Sequence, residues 1–219
     1  MNIKHTKEPK DAADFIFKSI SNQLKLGKSV LFFVTGGSAI AVAVEVSKLL
    51  KETPQEKLTV TLTDDRYGPV GHKDSNWQQL IEQGFSMPEA KLIPILTDDD
   101  FETTVEKFNE NLAYEFNVAE YTIGLFGVGL DGHTCGIIPG SIAVKSPDLA
   151  CGHHTETFSR ITITPQLIKE FDEAVVFMQG EQKWKLAEDL HKKIDIIKMP
   201  VQILKKVPLL TIFTDYENK

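Results

Sequence analysis

The sequence has few of the features that mark secreted or membrane-spanning proteins. Its 219 residues include only two cysteines, Cys135 and Cys151, which excludes a disulfide scaffold and is typical of proteins in the reducing cytoplasm. No run of about 18 apolar residues is present, so no membrane-spanning segment is expected. The first ten residues are polar and charged, unlike a secretory signal. We therefore expect a cytoplasmic protein that does not associate with membranes.

Basic runs and metal-ligand clusters are also scarce. Lysine and arginine number 24 against 31 aspartates and glutamates, which gives a formal net charge of -7. Because no basic stripe is present, no nucleic-acid partner is expected, although a local cationic pocket for an anionic metabolite is compatible with this balance. His133, His153 and His154 lie near the cysteines in sequence, but a structural zinc site usually needs four closely spaced ligands. We therefore expect no metal site.

Short apolar runs alternate with helical patterns through most of the chain. Strands are predicted at 29–34, 58–63, 121–126, 160–164, 174–179 and 209–213. Helices are predicted at 11–26, 38–51, 75–83, 101–116, 181–192 and 200–206, with a further helical turn from Pro165. Ser75 and Gln78 fit a capping box at the start of the third helix. This alternation predicts an α/β fold in one domain, residues 1–219, with a doubly wound, mainly parallel sheet and helices on both faces.

Four of the predicted strands end in chemically distinctive residues. In doubly wound folds, ligands bind beyond the carboxyl ends of the strands. The four ends lie at 35–38, at 64–66, at 127–133, and at Gly180 with Lys183 close behind. We expect all four to line one edge of the sheet.

The glycine-rich stretch 127–133, which follows the predicted strand 121–126, carries an acid and an imidazole two residues apart. His133 suits proton transfer near neutral pH, and Asp131 can orient the ring or stabilise its charged form. The three glycines also match a dinucleotide-binding loop, but the proline and glycines at 136–140 oppose the long helix that such a loop must open. A purely structural turn with a surface histidine is a further alternative.

Gly36, Gly37 and Ser38 join a predicted strand to a predicted helix. Glycine amides, a helix N-terminus and a hydroxyl together suit a phosphate group. The lysine and the spacing of a Walker loop are absent. A tight turn with Ser38 as the helix N-cap accounts for the same residues, so this segment alone leaves both interpretations open.

Three cationic residues near strand ends are further candidates. Arg66 can clamp a phosphate or carboxylate through two hydrogen bonds, or it can join Asp64 and Asp65 in a self-contained cluster. Lys183 is predicted in the first turn of a helix, where a cation is unfavourable unless an anion also binds there. The alternative for Lys183 is a solvated helix face shared with neighbouring lysines. Arg160, at the head of its predicted strand, leaves similar alternatives open.

Five segments together resemble the 6-phosphogluconolactonase family, whose superfamily includes glucosamine-6-phosphate deaminases. They lie at 34–39, 62–76, 127–141, 159–164 and 180–190, in family order, and extend over most of the chain. The family fold is a doubly wound α/β sheet, in agreement with the alternation of elements. Deaminases typically carry a glutamate where this sequence has Ile138 and a tyrosine where it has Arg66, so the resemblance favours the lactonase branch.

The resemblance implies hydrolysis of 6-phospho-D-glucono-1,5-lactone to 6-phosphogluconate, a step of the oxidative pentose phosphate pathway, with no cofactor. It implies that His133 activates water with the help of Asp131. The implied substrate ligands, most of them for the phosphate, are Gly36, Gly37, Ser38, Asp64, Arg66, Arg160 and Lys183. The implied partner is a small phosphorylated sugar lactone, bound by a monomer or homodimer. A deaminase or isomerase of amino-sugar phosphates and a non-catalytic sugar-phosphate sensor are the alternatives.

Overall fold

The computed structural model describes residues 1–217, in which strands and helices alternate as predicted. Its strands are β1 Asn2–His5, β2 Val30–Val34, β3 Leu58–Leu62, β4 Asp64–Arg66, β5 Lys91–Ile93, β6 Tyr121–Phe126, β7 Ala150–His154, β8 Ser159–Ile163, β9 Glu173–Met178 and β10 Leu209–Thr214. Its α-helices are α1 Pro9–Lys25, α2 Ile40–Leu49, α3 Asn76–Glu82, α4 Phe101–Val118, α5 Pro165–Ile168 and α6 Trp184–Asp189. Short 3₁₀ helices lie at Gly37–Ala39, Ile142–Lys145, Glu181–Lys183 and Pro200–Lys206. In this described part, no helix is both long and apolar enough to cross a bilayer.

Seven of the described strands form one parallel sheet, in the order β1-β10-β9-β6-β2-β3-β5. The order reverses between β2 and β6, because the chain continues from β2 towards β5 on one side and from β6 towards β10 on the other. In a doubly wound sheet, such a reversal opens a crevice beyond the carboxyl ends of the two strands. The loops after β2 and β6 meet there, since a Cβ atom on Gly127 would lie 4.0 Å from the Gly36 carbonyl oxygen. The predicted sheet is confirmed.

Helices cover both faces of this sheet. The central strands β2 and β9 are buried along their whole length, as expected in a parallel sheet. The strand register assigns Phe33 of β2 and Phe213 of β10 to opposite faces. Phe116 of α4 packs on Phe33 with ring centroids 6.0 Å apart, and Phe15 of α1 packs on Phe213 at 5.6 Å. The sheet therefore carries α1 and α4 on different sides.

A second sheet of three antiparallel strands, β4-β8-β7, was not expected from the sequence, which predicts only β8. β4 is three charged residues long, and β7 combines a glycine with two histidines, so neither has the alternating or apolar pattern of a strand. β4 begins two residues after β3 ends, and its pairing sets Arg66 opposite Arg160. This small sheet thus brings two arginines together.

Several boundaries differ from the prediction. The helix predicted from residue 38 begins as the 3₁₀ turn Gly37–Ala39, and the helix predicted at 181–192 is a 3₁₀ turn followed by the six-residue α6. Ser75 caps α3 by accepting a hydrogen bond from the Gln78 amide, as predicted. The Gln78 side chain, however, donates to Glu82, so the reciprocal half of the capping box is not formed.

Candidate active site

The carboxyl ends of the parallel strands open into a cavity of about 260 Å³. The four chemically distinctive strand ends line it together, as the sequence predicts. The predicted residues among its lining are Gly36, Gly37, Ser38, Asp64, Arg66, His133, Arg160 and Lys183. Residues far apart in sequence therefore converge on one edge of the sheet.

Asp131 and His133 form a hydrogen-bonded pair in the loop after β6. The Asp131 Oδ1 atom lies 2.6 Å from His133 Nδ1 and accepts a hydrogen bond from the His133 backbone amide at 3.1 Å. With Nδ1 donating to the carboxylate, Nε2 keeps a free lone pair, which is the tautomer that a general base needs. The His133 side chain lines the cavity and is 35% exposed, so water and ligands can reach the imidazole.

Glycines in the same loop fix the position of this imidazole. A Cβ atom on Gly129 would lie 2.1 Å from His133 Cε1, so the ring packs directly on the glycine backbone. Gly132 has a φ of +82°, a left-handed conformation that glycine adopts without strain. The next helical segment along the chain is the four-residue turn Ile142–Lys145. The long helix that a dinucleotide-binding loop requires is therefore replaced by a short turn.

Asp64 and two arginines form a charged wall of the cavity. Arg66 and Arg160 occupy paired positions on β4 and β8. Asp64 Oδ2 lies 3.5 Å from Arg160 Nη1, whereas Arg66 donates from Nη1 to the Asp74 carbonyl at 2.8 Å. The self-contained cluster of Arg66 with Asp64 and Asp65, one of the two alternatives from the sequence, is therefore not formed. The two arginines face the same cavity from neighbouring strands.

Asp65 is buried behind this wall and organises the start of α3. Its Oδ1 atom accepts hydrogen bonds from the backbone amides of Arg66 at 2.8 Å and Asn76 at 2.6 Å, and its Oδ2 atom accepts one from the Ser75 hydroxyl at 2.9 Å. Burial raises the pKa of the Asp65 carboxyl to about 6. Asp65 thereby fixes the backbone of a cavity-lining arginine without lining the cavity itself.

Asn76 lines the cavity but was not selected from the sequence. Its Nδ2 atom donates to the Asp64 carbonyl at 2.9 Å, and its carboxamide packs on Gly36, where a Cβ atom would lie 2.0 Å from Asn76 Oδ1. The sequence could have identified Asn76 only by its position at the end of the segment 62–76, which carries part of the family resemblance. A buried amide that links Asp64 to the β2 loop gives no distinctive pattern by itself.

A single carboxylate holds the turn that follows β9. Asp215 accepts hydrogen bonds from the Gly180 amide and from Trp184 Nε1, both at 3.1 Å to Oδ1. Gly180 has a φ of +103°, which favours glycine. The Lys183 amide donates back to the Gly180 carbonyl at 2.8 Å and closes the turn. Asp215 therefore fixes both ends of the turn that carries Lys183.

Lys183 differs from the lysines around it. Its side chain lines the cavity, and burial lowers the pKa of its ammonium group from the ordinary value. Within residues 1–217, this ammonium group makes no ion pair or hydrogen bond. Lys185 lies 2.8 Å from Asp189 on the exposed side of α6, so the solvated-face interpretation describes Lys185 and not Lys183.

Cys135 and Gly136 line the cavity beyond His133, and buried groups hold them. The Thr162 hydroxyl donates to the Cys135 carbonyl, and His153 Nε2 lies 3.0 Å from the Gly136 carbonyl oxygen. Burial lowers the pKa of His153, so a neutral ring donates this hydrogen bond. Burial also raises the pKa of the Cys135 thiol well above its ordinary value, which keeps it protonated and unreactive.

Comparison with known proteins gives a family and a curated relative. The family described as glucosamine-6-phosphate isomerases/6-phosphogluconolactonase matches residues 6–211. A 6-phosphogluconolactonase from Synechocystis sp. is 30% identical over 144 residues, which cover 59% of this chain and 58% of that protein. The match thus spans less than two thirds of that relative.

Solved structures share the fold at low sequence identity. A 6-phosphogluconolactonase from Shewanella baltica has a TM-score of 0.82 at 22% identity, over 98% of this chain and 97% of that one. A monomeric glucosamine-6-phosphate deaminase has a TM-score of 0.79 at 15% identity, over 98% and 97%. Because proteins with both activities share this fold, the assignment of an activity depends on the site.

Proposed function

The chain belongs to the family of glucosamine-6-phosphate isomerases and 6-phosphogluconolactonases, and on that premise we propose that it hydrolyses 6-phospho-D-glucono-1,5-lactone to 6-phosphogluconate. The observation that carries the proposal is the meeting of the Asp131–His133 pair with Arg66, Arg160 and Lys183 around one cavity. A general base and an anion site on the same cavity fit a substrate that is both phosphorylated and hydrolysable.

His133 serves as the base for the attacking water. A lactone is an activated ester, so water attacks carbonyl carbon C1 without a covalent enzyme intermediate. The water loses a proton to His133 Nε2 as its oxygen bonds to C1, and the carbonyl electron pair moves onto the carbonyl oxygen. That pair then re-forms the carbonyl while the bond between C1 and the ring oxygen breaks, and the imidazolium returns the proton to the ring oxygen. Such assistance is typically worth about 10² to 10⁴ in rate.

Asp131 and backbone amides support this transfer. The carboxylate holds Nδ1 and stabilises the imidazolium that forms when Nε2 takes the proton. The amides of Gly127 and Val128 stabilise the oxyanion that develops on the carbonyl oxygen, since the Gly129 amide already donates to the His133 carbonyl at 3.0 Å. No step requires a nucleophilic side chain, in keeping with the protonated state of the Cys135 thiol.

The phosphate occupies the cationic part of the cavity. Gly36, Gly37 and Ser38 offer amides and a hydroxyl at the start of a helical segment, and Arg66, Arg160 and Lys183 supply positive charge. Three cations face only one carboxylate of the cavity wall, Asp64, and a phosphate dianion offsets that excess. Ile138 brings no carboxylate to the position where deaminases typically carry glutamate, which supports the lactonase over the deaminase.

The decisive experiment compares hydrolysis of freshly generated 6-phosphogluconolactone by the wild type and by His133→Ala, each corrected for the spontaneous rate. We expect fast wild-type turnover and a loss of about 10² to 10⁴ in kcat for the variant. Full activity in His133→Ala would contradict the role of His133 as the general base. A folded wild type that does not accelerate the reaction would overturn the lactonase, and ammonia release from glucosamine 6-phosphate would then identify a deaminase.

A matched pair of lysine variants tests the phosphate assignment. Lys183→Ala should raise KM for the phosphorylated lactone and spare turnover of unphosphorylated D-glucono-1,5-lactone, because its ammonium faces the phosphate. Lys185→Ala removes the same charge two residues away on the exposed side of α6 and serves as the control. Equal losses on both lactones in Lys183→Ala contradict the assignment.

A further inference from the structure

Phe158, at the hairpin between β7 and β8, touches both arginines of the cavity wall. Its ring centroid lies 5.2 Å from the Arg66 guanidinium carbon and 5.4 Å from that of Arg160. Phe158 is not among the residues that line the cavity. One ring, placed outside the ligand space, therefore contacts two cations that border it.

The local backbone determines this placement. The Phe158 amide donates to the Thr155 hydroxyl at 3.1 Å, and the Thr155 amide donates to the Phe158 carbonyl at 2.8 Å, which closes a tight turn before β8. Side chains two positions apart on an extended chain lie on the same side, so Phe158 accompanies Arg160. Arg66 joins them because it is the cross-strand partner of Arg160.

Hydrogen bonds and ion pairs do not fully compensate the two guanidinium groups. Like charges on directly paired strand positions destabilise a sheet. Asp64 offsets the charge of Arg160, but the Nε atoms of both arginines are buried without a hydrogen-bond partner in the described part of the chain. The negative face of an aromatic ring attracts a cation, and the attraction is stronger where water is excluded. Phe158 supplies this attraction to both groups.

We infer that Phe158 is a positioning residue whose ring holds the Arg66 and Arg160 guanidinium groups side by side as a two-arginine clamp for the substrate phosphate. The inference rests on the proposed function, because it names the support of the phosphate site. Arginine recognises phosphate through parallel N–H donors in a fixed plane, so an arginine that loses its orientation loses affinity even when its charge remains.

Three variants separate the ring's attraction for cations from its bulk. Phe158→Leu keeps an apolar side chain but removes the aromatic face, and Phe158→Tyr keeps the face. Phe101→Leu is the matched control, because the Phe101 ring packs on Tyr67 and His154 beside the same small sheet and contacts neither arginine. Near-ultraviolet circular dichroism verifies that each variant is folded.

Calorimetric titration with 6-phosphogluconate and with inorganic phosphate measures the Kd of each anion in the absence of turnover. In Phe158→Leu we expect Kd for both anions, and KM for the phosphorylated lactone, to rise about 5- to 30-fold, as for the loss of two cation–π contacts. We expect kcat, and kcat/KM for unphosphorylated D-glucono-1,5-lactone, to be retained. Phe158→Tyr should restore phosphate affinity, and Phe101→Leu should leave it at the wild-type level.

Three results would overturn the inference. They are wild-type phosphate affinity in Phe158→Leu, a loss in Phe158→Tyr as large as that in Phe158→Leu, and an equal loss of kcat/KM on both lactones. The proposed function fails separately, since a wild type that does not hydrolyse the lactone overturns the activity. A phosphate affinity that still depends on the ring at position 158 would support the clamp even then.

Discussion

Two neighbouring carboxylates, Asp64 and Asp65, have different surroundings. Both are buried, but Asp64 lines the cavity and pairs with Arg160, whereas Asp65 does not line it and accepts three hydrogen bonds, from Arg66, Ser75 and Asn76. Alternation along β4 turns the two side chains in opposite directions. Because burial raises the pKa of the Asp65 carboxyl to about 6, the charged form of Asp65 costs stability.

Asp65 makes the stability of the protein fall as pH rises through the range from about 4 to 6. The folded state holds the Asp65 proton more tightly than the unfolded state, so stability present below pH 4 is lost by about pH 6, to a total of ~3 kcal/mol. Asp65→Asn keeps an oxygen for the two backbone amides and directs an amide group at the Ser75 hydroxyl, so it serves as the uncharged reference. Urea unfolding of both proteins at a series of pH values gives the difference. A wild type that gains stability relative to Asp65→Asn over this range contradicts the assignment.

At the scale of elements, the apolar strands were predictable and the strands made by pairing were not. β2, β3, β6, β9 and β10 are continuous apolar or β-branched runs, and each was predicted within one residue at either end. β4 and β7 form because β8 supplies hydrogen-bond partners from distant sequence, and no local pattern records that. β1 and β5 are short strands at the sheet edges and were missed for a similar reason.

The residues of the candidate site likewise divide into those that the sequence predicts and those defined only by contacts in the folded chain. Strand-end residues such as His133 and Lys183 were predictable because the fold rule names the edge on which they lie. Asn76, Phe158 and Asp215 act through contacts that exist only after the chain has folded. Their partners lie on other elements, as in the bond between Asp215 and the Gly180 amide. Sequence therefore predicts the residues that line the cavity better than the residues that support them.

The turn between β9 and α6 gives a prediction at this scale. In Asp215→Ala the Gly180 amide and the Trp184 indole lose their acceptor, so Lys183 becomes less ordered and KM for the phosphorylated lactone should rise about 3- to 10-fold, the value of about one hydrogen bond. In Asp215→Asn the remaining oxygen accepts both hydrogen bonds, and KM should stay close to that of the wild type. Steady-state kinetics measure the change, and tryptophan emission of Asp215→Ala in a Trp77→Phe background reports the surroundings of Trp184. If Asp215→Asn is as impaired as Asp215→Ala, the charge of Asp215 matters rather than its hydrogen bonds.

At the scale of the whole molecule, the cavity lies where the two halves of the sheet meet. Gly36 and Gly37 follow β2 in one half of the sheet, and His133 and Lys183 follow β6 and β9 in the other half. A ligand in this crevice contacts both halves at once. Its binding free energy is therefore added to the free energy of unfolding of the whole molecule.

We therefore expect 6-phosphogluconate, the product of the proposed reaction, to raise the midpoint of thermal unfolding. At a concentration of 100 times Kd the added stability is about 2.7 kcal/mol, which for a chain of this size corresponds to a rise of roughly 5 to 10 °C. Gluconate at the same concentration lacks the phosphate and should give little shift. His133→Ala should keep the full shift, because the proposed role of His133 is proton transfer to and from the reacting oxygens and not binding of the phosphate. Differential scanning calorimetry measures the midpoints, and equal shifts with gluconate and 6-phosphogluconate contradict the prediction.

The division of the site between the two halves of the sheet also affects the protein during its synthesis. The amides of Gly36 and Gly37 leave the ribosome early, the Asp131–His133 pair follows, and Lys183 emerges after both. The partner strand β8, which holds Arg160 opposite Arg66, also emerges long after β4. A nascent chain halted before β9 thus carries the Asp131–His133 pair without Lys183. The nascent-chain length at which stalled ribosomes first show lactone hydrolysis would therefore indicate when the second half of the sheet has docked against the first.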